Sequence, residues 1–154
     1  MKTRRASGRE TIGRGVVAGL AGTVVMTGFQ QFVEMPLTGR GASYAPADFA
    51  ERVTPLRTRS PRGRRRLNWV VHFALGTVWG AAYGVAAVRG LRGQRAVHAV
   101  FGVVYVGDVA ANTALGLYRP LQWSARDVLI DLLDKYVQAQ ATGTVFDRVL
   151  APAR

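Results

Sequence analysis

The sequence contains no cysteine, and only two of its 154 residues are lysine. The absence of cysteine excludes a disulfide framework, thiolate-bound zinc, an iron–sulfur cluster and thiol catalysis. Charged residues are few, at 19%, whereas apolar residues make up 49% of the chain. This balance excludes a disordered protein, which would combine low hydrophobicity with high charge. The length predicts a single domain over residues 1–154.

Motifs of enzymatic chemistry are also missing from the sequence. It contains no phosphate-binding loop, nucleophile elbow, zinc-protease motif, calcium-binding loop or dinucleotide fingerprint. Its histidines and acidic residues do not have the spacing of a metal site. We therefore expect no enzymatic activity, no catalytic residue, no bound metal and no cofactor.

The chain does have many arginines, and its apolar residues are strongly segregated from them. The formal net charge is +12, and arginine supplies nearly all the cations. Together with the abundance of alanine, glycine and valine, this bias is typical of a GC-rich bacterial genome. The mean hydropathy is only +0.08, but this average conceals long apolar stretches.

Two of these stretches have the length and composition of membrane-spanning helices, which need about 20 mostly apolar residues. Residues 69–88 carry no formal charge, and residues 96–117 carry only Asp108. The sequence therefore predicts spanning helices over about residues 68–89 and 95–117.

Two further stretches are weaker candidates. The first covers about residues 12–35 and should stop at Pro36; a signal peptide is the alternative. The last covers about 126–150, with Ser124 as its N-cap and several charges in its first half. It either spans or lies in the interface as an amphipathic helix. With both, the prediction is an all-α polytopic membrane protein, a bundle of four transmembrane helices.

The connection over residues 36–67 is predicted as a basic extramembrane loop with a short helix at Pro46–Val53. Four of its arginines should contact anionic lipid headgroups: Arg62, Arg64, Arg65 and Arg66. Nucleic acid is not an expected partner, because the aromatic residues lie in the predicted spans and do not interleave with the basic run.

With four spans the two sides carry ten basic residues each, so the positive-inside rule sets no orientation. Either a helix is miscounted or both orientations occur.

Each predicted helix carries polar residues on one face, at the three- and four-residue spacing of a helix. Polar groups in hydrocarbon turn toward protein or water, so the bundle should have a polar interior. A cluster is predicted in the half nearest the basic loop: Asp108, His72, Asn112, Glu34, Gln30 and Asp131. Asp108 lies closest to the bilayer centre, with His72 or Asn112 as its expected partner. The cluster is either a functional site or interhelical hydrogen bonding that only stabilises the bundle.

Glycines at four-residue spacing indicate close helix packing. Gly76, Gly80 and Gly84 form a tandem GxxxG pattern, which lets two helix backbones approach each other. This face should pack on protein, with a homodimer as one arrangement.

Residues around the end of the first predicted helix resemble those of a known group. The chain reads GLAGTVVMTGFQ over Gly19–Gln30, then EMPLTGR over Glu34–Arg40, followed by Ser43. This pattern is similar to small actinobacterial multi-pass membrane proteins of unknown function, and more faintly to the YagU-like inner-membrane proteins. The latter have Pro-Pro-Arg after their first helix, where this chain has Met-Pro-Leu. The resemblance implies a bacterial membrane protein and assigns no site residues.

These observations predict a multi-pass protein of the bacterial plasma (inner) membrane. Its expected role is structural or accessory, and anionic lipid is its expected partner. A small proton-linked transporter or channel that uses Asp108 is the alternative.

Overall fold

A computed structural model describes residues 7–150, and all regular structure in that range is helical. The all-α prediction is therefore confirmed. Six α-helices follow one another along the chain, the first and last each extended by a π-helical segment, at Gln30–Glu34 and Phe146–Leu150. The α-helices are α1 (Gly8–Phe29), α2 (Met35–Thr38), α3 (Ala45–Val53), α4 (Pro61–Val88), α5 (Gly93–Ala114) and α6 (Ala125–Val145).

The four long helices α1, α4, α5 and α6 form an antiparallel bundle in which successive helices alternate in direction. The short helix α3 covers one end, together with the start of α4 and the α5–α6 connection, and we call this the α3 end. The opposite end holds the start of α1, the α4–α5 turn and the π-helical segment at Phe146–Leu150.

Three segments are long and apolar enough to cross a membrane: Gly8–Thr38, Pro61–Val88 and Gly93–Ala114. The chain is thus a membrane protein by the length and composition of its helices. α6 has a comparable length of 21 residues but carries several charges in its first half. The predicted helix over 126–150 is therefore present, whereas its crossing of the membrane stays a prediction.

The outer surface of the bundle is more apolar than that of a water-soluble domain, and several polar side chains lie inside. Large apolar side chains face outward along the helices, as at Val70 (67% exposed) and Val103 (75%). Polar side chains such as Thr23, Asn112 and Gln138 are buried. In water this arrangement would expose apolar surface and desolvate polar groups, whereas in a bilayer both placements are favourable.

The expected stop at Pro36 is wrong, since the helix continues to Thr38. Proline has no N–H and its ring clashes with the carbonyl four residues earlier, so it disrupts an ordinary α-helix. Here the helix widens into a π-helical turn just before the proline, and the Met35 N–H donates to the Gln30 carbonyl five residues back. The helix ends only at Gly39, whose φ of 70° favours glycine.

The basic connection is also more ordered than a loop. The short helix predicted at Pro46–Val53 is confirmed as α3. The loop prediction is wrong after Ser60, because α4 begins at Pro61 and carries the arginine run on its first turns. Ser60 caps this helix by accepting a hydrogen bond from the Gly63 N–H, and proline is favourable at the first helical position.

α3 is fixed to the bundle by polar contacts at both of its ends. The Ala47 N–H donates to Asn68 of α4 over 3.1 Å, and the Arg52 side chain donates to the Leu115 carbonyl over 2.9 Å. Glu51 accepts hydrogen bonds from the side chain and the N–H of Thr58. Those bonds lower the pKa of Glu51, so its carboxylate is ionised at neutral pH and the contact persists.

α1 and α4 meet along glycines that bring the two helices into close contact. We call these the glycine seam: Gly15, Gly19, Gly76, Gly80 and Gly84. A Cβ atom on Gly19 would lie 2.7 Å from the Gly80 Cα, and one on Gly84 would lie 2.7 Å from the Ile12 Cα. The face therefore packs on α1 of the same chain. Within one chain α1 occupies this face, and the homodimer expected from the sequence stays a prediction.

Candidate functional site

α6 turns its polar residues toward the other three long helices. Asp134 and Gln138 are buried, while Leu129 is 65% exposed on the outer side of the helix. A capping box at Ser124 and Asp127 sets where the helix begins. The inner face of α6 is the element around which the polar interior is built.

Lys135 of α6 is the centre of the most highly charged group. Its ammonium lies 2.8 Å from the Asp131 Oδ1 and 3.3 Å from the Asp108 Oδ2 of α5. Asn112 donates to the Asp108 Oδ1 over 3.0 Å. We call Asp108, Asn112, Asp131 and Lys135 the lysine site. The Lys135 side chain is only 17% exposed, so the two carboxylates replace much of its hydration.

A second polar group joins α6 to α1. The Gln30 amide donates to the Asp134 Oδ2 over 2.7 Å, and the Gln138 amide donates to the Thr23 hydroxyl over 3.0 Å. Glu34, one helical turn beyond Gln30, is buried and accepts a hydrogen bond from Thr38 over 2.9 Å.

The third group lies between α1 and α4, where the His72 ring and the Thr27 hydroxyl are 2.9 Å apart. His72 is thus not the partner of Asp108, whereas the other expected partner, Asn112, does contact it. His98 of α5 lies in the other half of the bundle and contacts the Tyr136 hydroxyl over 3.1 Å.

The six residues predicted as one cluster are therefore divided among three helix interfaces. Asp108, Asn112 and Asp131 come together in the lysine site, Gln30 and Glu34 lie on the α1–α6 side, and His72 lies on the α1–α4 side. Lys135 and Asp134 are missing from the predicted cluster. Both lie at helical spacing from Asp131 on α6. The opposite charges of Lys135 and Asp108 were the signal from which their contact could have been predicted.

Two buried carboxylate oxygens inside the bundle have no hydrogen-bond donor. Within residues 7–150 these are the Asp131 Oδ2 and the Asp134 Oδ1, whereas the Asp108 Oδ2 lies 3.3 Å from the Lys135 ammonium. The same part of the chain contains no group of three or more histidine or acidic side chains able to hold a metal ion. The lysine site is therefore a charged group in which two carboxylates face one ammonium.

One groove on the bundle surface has a volume of about 580 Å³. It is lined by Val25, Tyr136, Val137, Gln140, Ala141, Thr144 and Val145. Its lining is mostly apolar and includes no residue of the lysine site, so it provides no polar path to Asp108.

No known protein family, curated protein or solved structure matches the chain. The class of the protein therefore follows from its own fold. It is an all-α membrane protein with three helices long and apolar enough to span a bilayer. A fourth long helix supplies most of the charge in its polar interior.

Proposed function

We propose that this chain is a structural or accessory protein of the bacterial plasma membrane, and that α6 crosses the bilayer with the other three long helices. One observation carries the proposal: polar side chains of α6 and of the segment after it contact each of the other helices. Lys135 contacts α5, Asp134 contacts α1, and Asp147 accepts a 2.5 Å hydrogen bond from Tyr83 of α4.

The energetics of these contacts fit a structural role. Helices in lipid gain no hydrophobic stabilisation from packing on one another, so close packing and interhelical hydrogen bonds hold them together. Each such bond contributes about 0.6 to 2 kcal/mol. The glycine seam supplies close packing between α1 and α4, and the polar contacts of α6 join the remaining helices.

The burial pattern of α6 supports its placement in the bilayer. An interfacial amphipathic helix would present its charged face to water. In α6 that face points into the bundle, while Leu129 and Leu133 point outward. Bilayer lipid can cover the leucines, and the charges are neutralised by partners on neighbouring helices.

Proton-linked transport through Asp108 is the second candidate. The Asp131 Oδ2 has no hydrogen-bond donor among the described residues, and Asp108 is an ionisable residue of the polar interior. Both observations favour this candidate, because ionisable residues inside a membrane commonly mark proton paths. The pairing of both residues with Lys135 favours the structural role.

The two candidates differ in what the Asp108→Asn variant does. We would reconstitute the wild type and the variant into vesicles that enclose a pH-sensitive dye and impose a membrane potential. The structural role predicts that neither protein acidifies vesicles faster than protein-free controls. It also predicts that the variant unfolds with a loss of about 1 kcal/mol, because Asn112 and Asp131 remain in place.

Proton uptake by the wild type that Asp108→Asn abolishes would contradict the structural proposal. Arg59→Gln is a control for handling and reconstitution, since Arg59 is exposed at the α3 end outside the polar interior.

A further inference from the structure

The first two turns of α4 carry three exposed arginines on one side. Successive helical residues are rotated by about 100°, so positions 62, 65 and 66 lie on the same face. We call Arg62, Arg65 and Arg66 the arginine face. All three are exposed, and none has an acidic side chain within salt-bridge distance in the described part of the chain.

Arg64 differs from its three neighbours. It forms a salt bridge with Asp48 of α3, and its guanidinium lies over the Tyr44 ring, 5.3 Å from the ring centre. Arg64 therefore helps to hold α3 against α4, and its charge is compensated within the protein. The lipid contact expected from the sequence for Arg64 stays a prediction, and the inference below concerns the other three arginines of the run.

The same helix face continues from charged to aromatic to aliphatic side chains. Trp69 follows the arginine face by one turn and is partly exposed, and Val70 beside it is mostly exposed. Arg62 and Trp69 are separated by about 10 Å along the helix axis. Headgroup phosphates, the interface and the hydrocarbon follow one another in the same order across a leaflet, and tryptophan is enriched at the interface.

We infer that the arginine face binds the phosphate groups of anionic phospholipids, with the Trp69 ring at the level of the lipid glycerol groups. Three unpaired guanidinium groups within two turns supply positive charge and many N–H donors for phosphate oxygens. The proposal depends on α4 lying in a bilayer, as the proposed function requires, but not on any role of the lysine site.

Lipid selectivity in defined bilayers tests this inference. The wild type in nanodiscs is exposed to spin-labelled phosphatidylglycerol or phosphatidylcholine, and the fraction of motionally restricted label gives the relative association constants. Each arginine near an anionic surface is worth a factor of about five in association. We expect the ratio of the association constants for phosphatidylglycerol and phosphatidylcholine to be at least about fivefold lower in the R62Q/R65Q/R66Q variant than in the wild type.

Two controls separate a site from net charge. R64Q removes one charge from the same run and should keep the preference. R89Q/R95Q/R148Q removes three exposed arginines from the opposite end of the bundle and should also keep most of it. An equal loss in this second triple variant, or an unchanged preference in R62Q/R65Q/R66Q, would overturn the proposal.

Two further outcomes would show whether the lipid ligand or the membrane placement is the part of the proposal that fails. Binding of a single-stranded oligonucleotide that R62Q/R65Q/R66Q abolishes, with lipid preference unchanged, would assign the arginine face to nucleic acid instead. If the wild type does not enter nanodiscs at all, the membrane placement fails rather than the lipid site alone.

Discussion

Replacing Gly80 with leucine is expected to separate α1 from α4 and to destabilise the bundle more than any other single substitution in the glycine seam. A Cβ atom at this position would lie 2.8 Å from the Gly19 Cα, which real Cβ contacts do not tolerate. Backbone cannot move aside as a flexible side chain can, so the helices must move apart. We expect a loss of at least about 3 kcal/mol in the free energy of unfolding, measured by circular dichroism during titration of mixed micelles with dodecyl sulfate.

Gly102→Leu is the matched control for this prediction. Gly102 is an exposed residue of α5 with no atom within 4 Å of a Cβ atom built on it. The same change of residue type should therefore have little effect there. A Gly80→Leu protein as stable as Gly102→Leu would contradict the packing of α1 on α4.

Replacing Lys135 with methionine is expected to have the second largest effect. The substitution keeps the length of the side chain but leaves Asp108 and Asp131 without their cation inside the bundle. Removing one partner of a buried ion pair costs about 3 to 5 kcal/mol, since the remaining charge is desolvated without compensation. We expect a loss near the lower end of that range, because the Asp108 and Asp131 side chains each retain some exposure. The same unfolding titration measures it.

Neutralising the two carboxylates should reverse much of this loss. In the K135M/D108N/D131N variant no uncompensated charge remains within the lysine site, so its free energy of unfolding should exceed that of K135M alone. R148M removes an exposed cation near the chain end and should be nearly neutral. If K135M were no less stable than R148M, the lysine site would not contribute to the fold.

The long helices could be predicted from the sequence because their signal is composition over a window of about 20 residues. Residues 69–88 and 96–117 contain almost no charge, and the structure places α4 and α5 over them. The ends of the helices were less predictable. Pro36 normally ends a helix, but a π-helical turn before it allows the chain to continue to Thr38.

The partners within the polar interior could be predicted only in part. Helical spacing identifies which residues share a face, and it placed Asp108 and Asn112 together correctly. It does not specify how each helix is rotated toward its neighbours or where it lies along the bundle axis. Both quantities depend on contacts between distant segments, such as Gly19 against Gly80, and they decide that His72 contacts Thr27 instead of Asp108.

The chain therefore combines two ways of holding helices together. α1 and α4 approach through the glycine seam, where the absence of side chains permits close packing. α6 is joined to its neighbours by hydrogen bonds and an ion pair, which are favourable where water does not compete for the polar groups. On this account α6 can cross the bilayer in spite of its charges, because the other helices surround its polar face and pair with it.

The crossing of α6 is the central claim, and cysteine labelling tests it most directly. The chain has no native cysteine, so a single cysteine can be introduced on either side of α6 without background. Leu121 before the helix and Arg148 after it are both exposed. We predict that L121C and R148C react with an impermeant maleimide from opposite sides, one in intact cells and the other only after permeabilisation. Reaction of both from the same side would contradict the account, because α6 would then lie at the membrane surface.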